Sequence, residues 1–293
     1  MDFHHLKVFL AAARHLNYTR AGEDLRLRQS TVSSHIKQLE GELGVQLFDQ
    51  IGRRLVLTEA GRLLEPVARR AVLGIAEVQS AAADYKGLAR GSLHLGASTT
   101  TGLYILPRLL ARFNALYPDI QLRTTLSNTS VIERMVLNAE VNFGFVGGHL
   151  VSGQLVSRPW LEDSIVLVAA PHHRLSSQRQ VSIKSLSGEV LIQREVGSAT
   201  RAVIEKEMQR AGRVFKKVIE LGHPEAIKEA VMSGLGIAFI SRFAVEREAK
   251  SGDLAIVAVK NLALQRRLQI CYRPQKHLSR ADATLIDEAE KMV

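Results

Sequence analysis

Residues 17–57 read NYTRAGEDLRLRQSTVSSHIKQLEGELGVQLFDQIGRRLVL. The spacing predicts two short amphipathic helices joined by a tight turn, then a hairpin. With Leu16 just ahead of it, the stretch places Ala21 and Leu25 on one apolar face. Val32, Ile36, Leu39 and Leu43 form a second face at helical spacing, and its outer side carries Gln29, Ser33, Ser34, His35 and Lys37. These are mostly short donors and acceptors with one firm cation, so the helix suits a major groove where base edges offer hydrogen bonds. Asp49 to Arg54 lies between the apolar pairs Leu47-Phe48 and Leu55-Val56. Gly52 permits a tight turn there, and Arg53 and Arg54 stand where a wing would meet phosphates.

Working outward, MDFHHLKVFLAAA opens the chain, and NYTRAGEDL, QSTVSSHIKQLEGELGVQLF and RRLVLTEAG follow in that order. Together these resemble the winged helix-turn-helix of the LysR-type transcriptional regulators, and the length and layout extend the resemblance over the whole chain. It implies that Gln29, Thr31, Ser33, Ser34 and Lys37 face DNA and that Arg53 sits in the wing. Where the family usually has Ser at the helix cap and Pro two residues later, this chain has Arg28 and Ser30. A capping Ser contributes roughly 1 kcal/mol, so Arg28 is expected to serve phosphate instead.

The 293 residues suffice for two or three domains, and 46% hydrophobic content supports substantial cores. The formal charge of +10 points to an anionic partner. Residues 1–90 carry 13 basic and 10 acidic side chains against 26 and 19 in the remainder, so the surplus is not confined to the reading segment. The single cysteine, Cys271, excludes an internal disulfide and reads as a buried inert thiol in the apolar run LQICY. No signal peptide and no long apolar span is visible, so a cytoplasmic location without membrane attachment is expected.

From Thr58 to about Lys86 a long helix is expected. Leu64, Val67, Ala71, Gly74, Val78, Ala81 and Tyr85 form a heptad seam of small residues suited to pairing with a second copy, and Pro66 is expected to kink or break it. Beyond Gly91 short apolar runs alternate with helical segments. LHLGA (93–97), IQLRTTL (120–126), FGFVG (143–147), IVLVAA (165–170), VLIQ (190–193), KVIEL (217–221) and GIAFI (236–240) read as strands. Helices are expected at Leu103–Leu116, Val131–Asn138, Ala199–Arg210 and Glu225–Met232. This is β-α-β alternation in two halves with parallel-rich sheets.

The expected fold class is therefore an N-terminal all-α winged helix-turn-helix with a long linker helix, then a C-terminal α/β effector domain. The resemblance gives that domain two lobes like a periplasmic binding protein. The expected boundaries are 1–57, 58–90 and 91–293, with lobe I at about 91–164 and 266–293 and lobe II at about 165–265. A hinge is expected near Asp163–Ala170 and Ala263–Leu268.

Ligands of open α/β sheets bind at strand C-terminal ends near helix N-termini. Four junctions stand out: Ser98–Thr101, Asn128–Ser130, Glu195–Arg201 and His223–Glu225. Taken alone each is an ordinary cap. Their joint placement marks Thr99, Thr100, Thr129, Ser130, Glu195, Ser198, Thr200, Arg201 and His223 as effector-binding candidates for a small anion. REVGSATR (194–201) resembles the REPGSGTR-like signature of a LysR-type branch regulating carbon-fixation operons and sulfur assimilation, with Val196 for Pro and Ala199 for Gly. It implies a phosphorylated sugar metabolite or a sulfur oxyanion. Arg201 has a competing partner one turn on, Glu205.

No H-E-x-x-H, clustered Cys, G-x-x-x-x-G-K-[ST] or G-x-S-x-G occurs, so no metal, no cofactor and no catalytic residues are expected. The adjacent pairs His4-His5 and His172-His173 read as surface residues. The expectation is a regulator that binds double-stranded promoter DNA and a small anionic metabolite. It would act as a homodimer assembling into a homotetramer, with RNA polymerase as a further partner. The alternative is a solute-binding protein whose N-terminal part is an oligomerisation arm; an enzyme is disfavoured.

Overall fold

The computed structural model describes residues 2–52, 54–85, 91–150, 152–212, 214–274 and 278–292. Its backbone divides into two compact units, the first holding the described residues up to Tyr85 together with 138–140.

In the first unit Asp2 caps α1 (Phe3–His15), and its side chain accepts the His4 N–H. Leu16 ends that helix in the left-handed region. Asn17 caps α2 (Tyr18–Leu25) through the Thr19 and Arg20 N–H groups. The turn into α3 (Gln29–Leu43) is tight enough that a Cβ at Gly22 would lie 2.6 Å from the Leu27 carbonyl oxygen. Arg28 occupies the cap of α3 without a side-chain hydrogen bond. Buried Glu40 accepts the N–H groups of Leu47 and Phe48 at 2.7 and 3.2 Å, tying the helix to the hairpin β1 (Phe48–Ile51) and β2 (Arg54–Leu57). Phe9, Val32, Ile36, Leu39 and Leu47 form the core, and Phe48 meets the rings of Phe9 and Tyr18 edge-on. In α1 Leu6, Val8, Phe9 and Ala12 are buried, while Phe3 and Leu10 are half-buried. His5, read as a surface residue, is 6% exposed.

The helix α4 (Glu59–Tyr85) runs unbroken through Pro66. Leu64 and buried Ala68 pack on the core on either side of the proline and hold the helix across the missing donor. That packing also divides the expected seam. Leu64 turns toward its own core, while among the described residues the large apolar side chains left exposed are Leu63, Val67, Ile75 and Val78. The side chains of Ala81 and Tyr85, like residue Arg53, lie outside the described part of the chain.

The second unit starts with β3 (Gly91–Ser98), which leads into α5 (Thr99–Tyr104) and α6 (Leu106–Leu116). One helix over 103–116 is thus replaced by two, because Pro107 restarts the ladder after Ile105. Then come β4 (Ile120–Ser127), α7 (Thr129–Leu137), β5 (Phe143–Gly147) and β6 (Val156–Ala169). IVLVAA is only the latter half of that 14-residue strand. They are followed by β7 (Val190–Gln193), α8 (Ala199–Arg210), β8 (Lys217–Glu220), α9 (Pro224–Met232) and β9 (Ile237–Ser241). The chain closes with α10 (Arg242–Ser251), β10 (Ala255–Val257), β11 (Leu264–Tyr272) and α11 (Arg280–Glu290).

The strands form one mixed sheet in the order β4-β3-β5-β11-β6-β9-β7-β8, with β10 on β6. Parallel pairs lie toward both ends, β3 with β4 and β5, and β7 with β8 and β9. Antiparallel β6 and β11 run through the middle and join two lobes. Lobe I packs Phe113, Phe143, Phe145, Trp160 and Leu285 on one face and Ile132 and Cys271 on the other. Lobe II packs Ile204 and Met208 of α8 on one face and Ile227 and Val245 on the other.

Candidate functional site

The two units present two different surfaces. On α3, Val32, Ile36 and Leu39 point inward, while Arg28, Gln29, Ser34 and Lys37 are exposed. Thr31 and Ser33 are half-buried at the edge of the same face. These six residues therefore share one rim of polar donors, flanked by exposed Arg54 of the hairpin; Arg53 lies outside the described residues. His35 differs from the sequence reading. It turns toward α1, with its ring centroid 5.0 Å from those of both His4 and His5. Burial, then the neighbouring His4 and His5, hold its pKa below the ordinary imidazole value, with Asp2 opposing.

In the second unit the C-terminal ends of β3, β4 and β7 converge, as the parallel pairing requires. They enclose a small chamber lined by Ser98, Thr99, Thr100, Asn128, Thr129, Arg194, Ser198, Ala199, Thr200 and Arg266. Its free volume is about 10 Å³, because the lobes touch across it. From lobe II the Arg194 Nη2 donates to Thr99 Oγ1 at 3.3 Å, and the Gly197 carbonyl accepts the Ser130 N–H at 3.2 Å. Asn128 Nδ2 donates to the Val196 carbonyl at 3.3 Å. A Cβ at Gly197, where φ is +91°, would lie 3.0 Å from Asn128 Oδ1, so this approach depends on glycine.

Two buried guanidinium groups line the chamber, each paired with a carboxylate. Arg194 is held by the adjacent Glu195 through two hydrogen bonds of 2.8 and 2.9 Å. Desolvation would raise the Glu195 pKa, but the Arg194 hydrogen bonds and charge hold it below the usual carboxylate range. Arg266 donates through Nε to Asp163 at 2.8 Å and through Nη1 to Thr200 Oγ1 at 2.7 Å. Its Nη2 sits 2.7 Å from the same Asp163 oxygen yet makes no directed hydrogen bond, so donor capacity remains. Asp163 also accepts the Ser241 hydroxyl at 2.8 Å. Ser198 caps α8 without a side-chain bond, so the first N–H groups of that helix add a further positive end beside the chamber. Hydroxyls, a helix start and two desolvated arginines together suit a small oxyanion.

Of the effector candidates, the structure gathers Thr99, Thr100, Thr129, Ser198 and Thr200 around the chamber. Ser130 lies in an adjoining outer hollow of about 290 Å³. Three have other partners, although Arg201 lines the same outer hollow as Ser130. Arg201 is not a free cation: Glu205 and Glu220 pair with it at 2.7 and 2.5 Å, and it donates to the Arg194 carbonyl. Glu195 lines no part of the chamber and acts on Arg194. His223 caps α9, accepting the Glu225 N–H at 3.3 Å. The sequence reading missed Arg194, Asn128 and Arg266 as lining residues. The signal for Arg266 was the alternation Leu264, Arg266, Leu268, Ile270, which puts a cation on the buried row of a strand.

Comparison with known proteins places these surfaces in context. Residues 3–62 match the family model described as bacterial regulatory helix-turn-helix protein, lysR family. Residues 86–293 match the LysR substrate binding domain. The chain is 38% identical over 282 residues to the Escherichia coli K12 protein called uncharacterized HTH-type transcriptional regulator YeiE, spanning 96% of this chain and 94% of that one. It is 33% identical over 291 residues to the RuBisCO operon transcriptional regulator of Allochromatium vinosum, spanning 98% and 96%. Among solved structures, the CcmR regulatory domain of Synechocystis PCC6803 in complex with 2-PG is 30% identical, spans 69% of this chain and 97% of that chain, and has a TM-score of 0.65.

Proposed function

Because the chain belongs to the LysR family of bacterial regulators, we propose that Arg28, Gln29, Thr31, Ser33, Ser34 and Lys37 read DNA while the chamber between the lobes senses a compact anion. The protein is a DNA-binding transcriptional regulator that responds to a small metabolite. A solute-binding protein with an oligomerisation arm is not favoured, since residues 3–62 match a helix-turn-helix family. We read the chain as non-catalytic, consistent with relatives that are named as regulators. No helix among the described residues is long and apolar enough to cross a membrane.

The observation that carries the effector reading is the pair of buried guanidiniums, Arg194 and Arg266, facing a ring of hydroxyls. The 2-PG complex of the similar CcmR domain supports a small-molecule ligand in this domain. Thr99, Thr100, Thr129, Ser198 and Thr200 would accept or donate around it, and Ser130 would serve its outer end. Occupancy would shift the equilibrium between lobe arrangements and so the spacing of reading heads in a dimer or tetramer on the promoter. Assembly would use the exposed apolar residues of α4, and RNA polymerase would be the partner downstream.

The test is thermal melting of the full chain with 2-PG, inorganic phosphate and sulfate against chloride at equal ionic strength. A ligand at 100 times its Kd stabilises by about 2.7 kcal/mol. At least one anion should raise the melting temperature of the wild type and fail to raise that of Arg194→Met. No response to any of them would refute the anion reading.

A further inference from the structure

Besides the contacts at the chamber mouth, the lobes are joined at a second place on the same short helix, α5. Thr99 and Thr100 at its start line the chamber, and Tyr104 stands at its end. The Tyr104 ring packs against the hydrophobic cores of both lobes. Its hydroxyl donates to Glu225 of α9, in lobe II. Lys228, one turn further along α9, is 3% exposed and sits 5.3 Å over the Tyr104 ring. Its ammonium pairs with Glu225 at 3.0 Å and with Glu248 of α10 at 2.6 Å. A lysine that deep is held by its two carboxylates and by the ring.

We propose that Tyr104, Glu225 and Lys228 form a latch that holds the effector cleft shut from outside the chamber, and that the Tyr104 hydroxyl is its moving part. This rests on reading the chamber as the effector site. Phe243 of α10 also packs on the lobe I core, but these two sets of polar lobe contacts differ in one respect. The bonds from Arg194 and at Asn128–Ser130 border the chamber, where an entering anion would compete for the same donors. None of the three latch residues lines the chamber, so an anion leaves those bonds intact. Opening to admit ligand must break them, and they re-form on closure. The latch therefore acts as a positioning device that sets how often the cleft opens, and α5 carries the change directly to Thr99 and Thr100.

The test needs no effector. Backbone hydrogen exchange is measured on the full-length wild type, Tyr104→Phe, Glu225→Ala and Glu225→Gln, all without ligand. Tyr104→Phe keeps the ring in place and removes only the bond to Glu225. Glu225 is about half exposed; its replacement by Ala removes the acceptor and also one of the two carboxylates on Lys228, which Tyr104→Phe leaves in place. One hydrogen bond to a charged group corresponds to roughly tenfold in the opening equilibrium. Exchange in residues 99–104 and 194–199 should therefore rise by about tenfold in Tyr104→Phe and Glu225→Ala. Glu225→Gln, which keeps an acceptor, should rise less. Exchange in β4 and α11, within lobe I, should not change. Unchanged exchange at the lobe-facing segments would overturn the latch, and so would an equal rise throughout lobe I, which would mark Tyr104 as merely structural. Failure of the anion melting test with these exchange results intact would instead remove the effector reading and leave the latch.

Discussion

Replacing Arg266 by Met tests whether the charge in the hinge strands is buried as described. Arg266 and Asp163 have side chains 4% and 0% exposed, and they pair on adjacent strands β11 and β6. Removing the guanidinium leaves the Asp163 carboxylate with the Ser241 hydroxyl as its remaining described partner, and it strips Thr200 of its donor. Breaking a buried ion pair from one side costs about 3–5 kcal/mol, whereas replacing both partners by neutral groups of similar volume is often nearly neutral. At about 2–4 °C per kcal/mol for a domain of this size, Arg266→Met should lower the melting temperature of the carboxy-terminal unit by roughly 6–20 °C. Asp163→Asn combined with Arg266→Met should recover most of that loss. Both variants should still lack the anion response, because the chamber has lost one of its two cations in each. Calorimetry on the full chain, with and without anion, reads stability and binding in one experiment. A single-variant loss below about 1 kcal/mol, or a double variant as unstable as the single, would refute the claim that the pair is desolvated.

Three further outcomes follow from the first unit. Lys37→Ala should weaken binding to the cognate promoter by about tenfold and, if the side chain meets phosphate, reduce the slope of log K against log salt by about one; fluorescence anisotropy at several salt concentrations measures both. Since the His35 pKa lies below its ordinary 6.5, the unfolded chain takes up that proton first, so the stabilisation is complete above about pH 6.5 and is lost as pH falls through the folded value. Intrinsic-rate-corrected hydrogen exchange in α1 and α3 should show this loss in the wild type and less of it in His35→Gln. Gly22→Ala should destabilise the first unit by about 1–3 kcal/mol, since the new methyl meets backbone at Leu27; an unchanged denaturation midpoint would mean the turn is looser than described.

Some of this architecture is local and some is not. The apolar row Val32, Ile36, Leu39 sets the inner side of α3 by periodicity alone, and Gly52, with φ of +63°, makes the hairpin turn its position announces. The strand ends are readable for the same reason, since Ser98, Asn128 and Ser198 follow short apolar runs. The charge of the chamber is a different matter. Arg201 pairs with Glu205, the partner its spacing offered, and also with Glu220 on β8, 19 residues away. Arg266 is buried because it pairs with Asp163, 103 residues distant. Long-range pairing decides which arginines are buried, and no local pattern encodes it. His35 fell on the outer side by composition, yet a helix turn places it against α1, where two further imidazoles pack on it. The division of 99–116 into two helices was readable at Pro107 and was overridden by the apolar run around it.

The central claim is that a polar-faced helix near the amino terminus distinguishes base pairs. Anisotropy titration of the full chain, at physiological salt, against its own upstream DNA and a scrambled duplex of equal length tests it most directly. A preference of at least about 10³-fold for the upstream DNA is the expected result for a specific reader. Equal affinity for the two duplexes would contradict it.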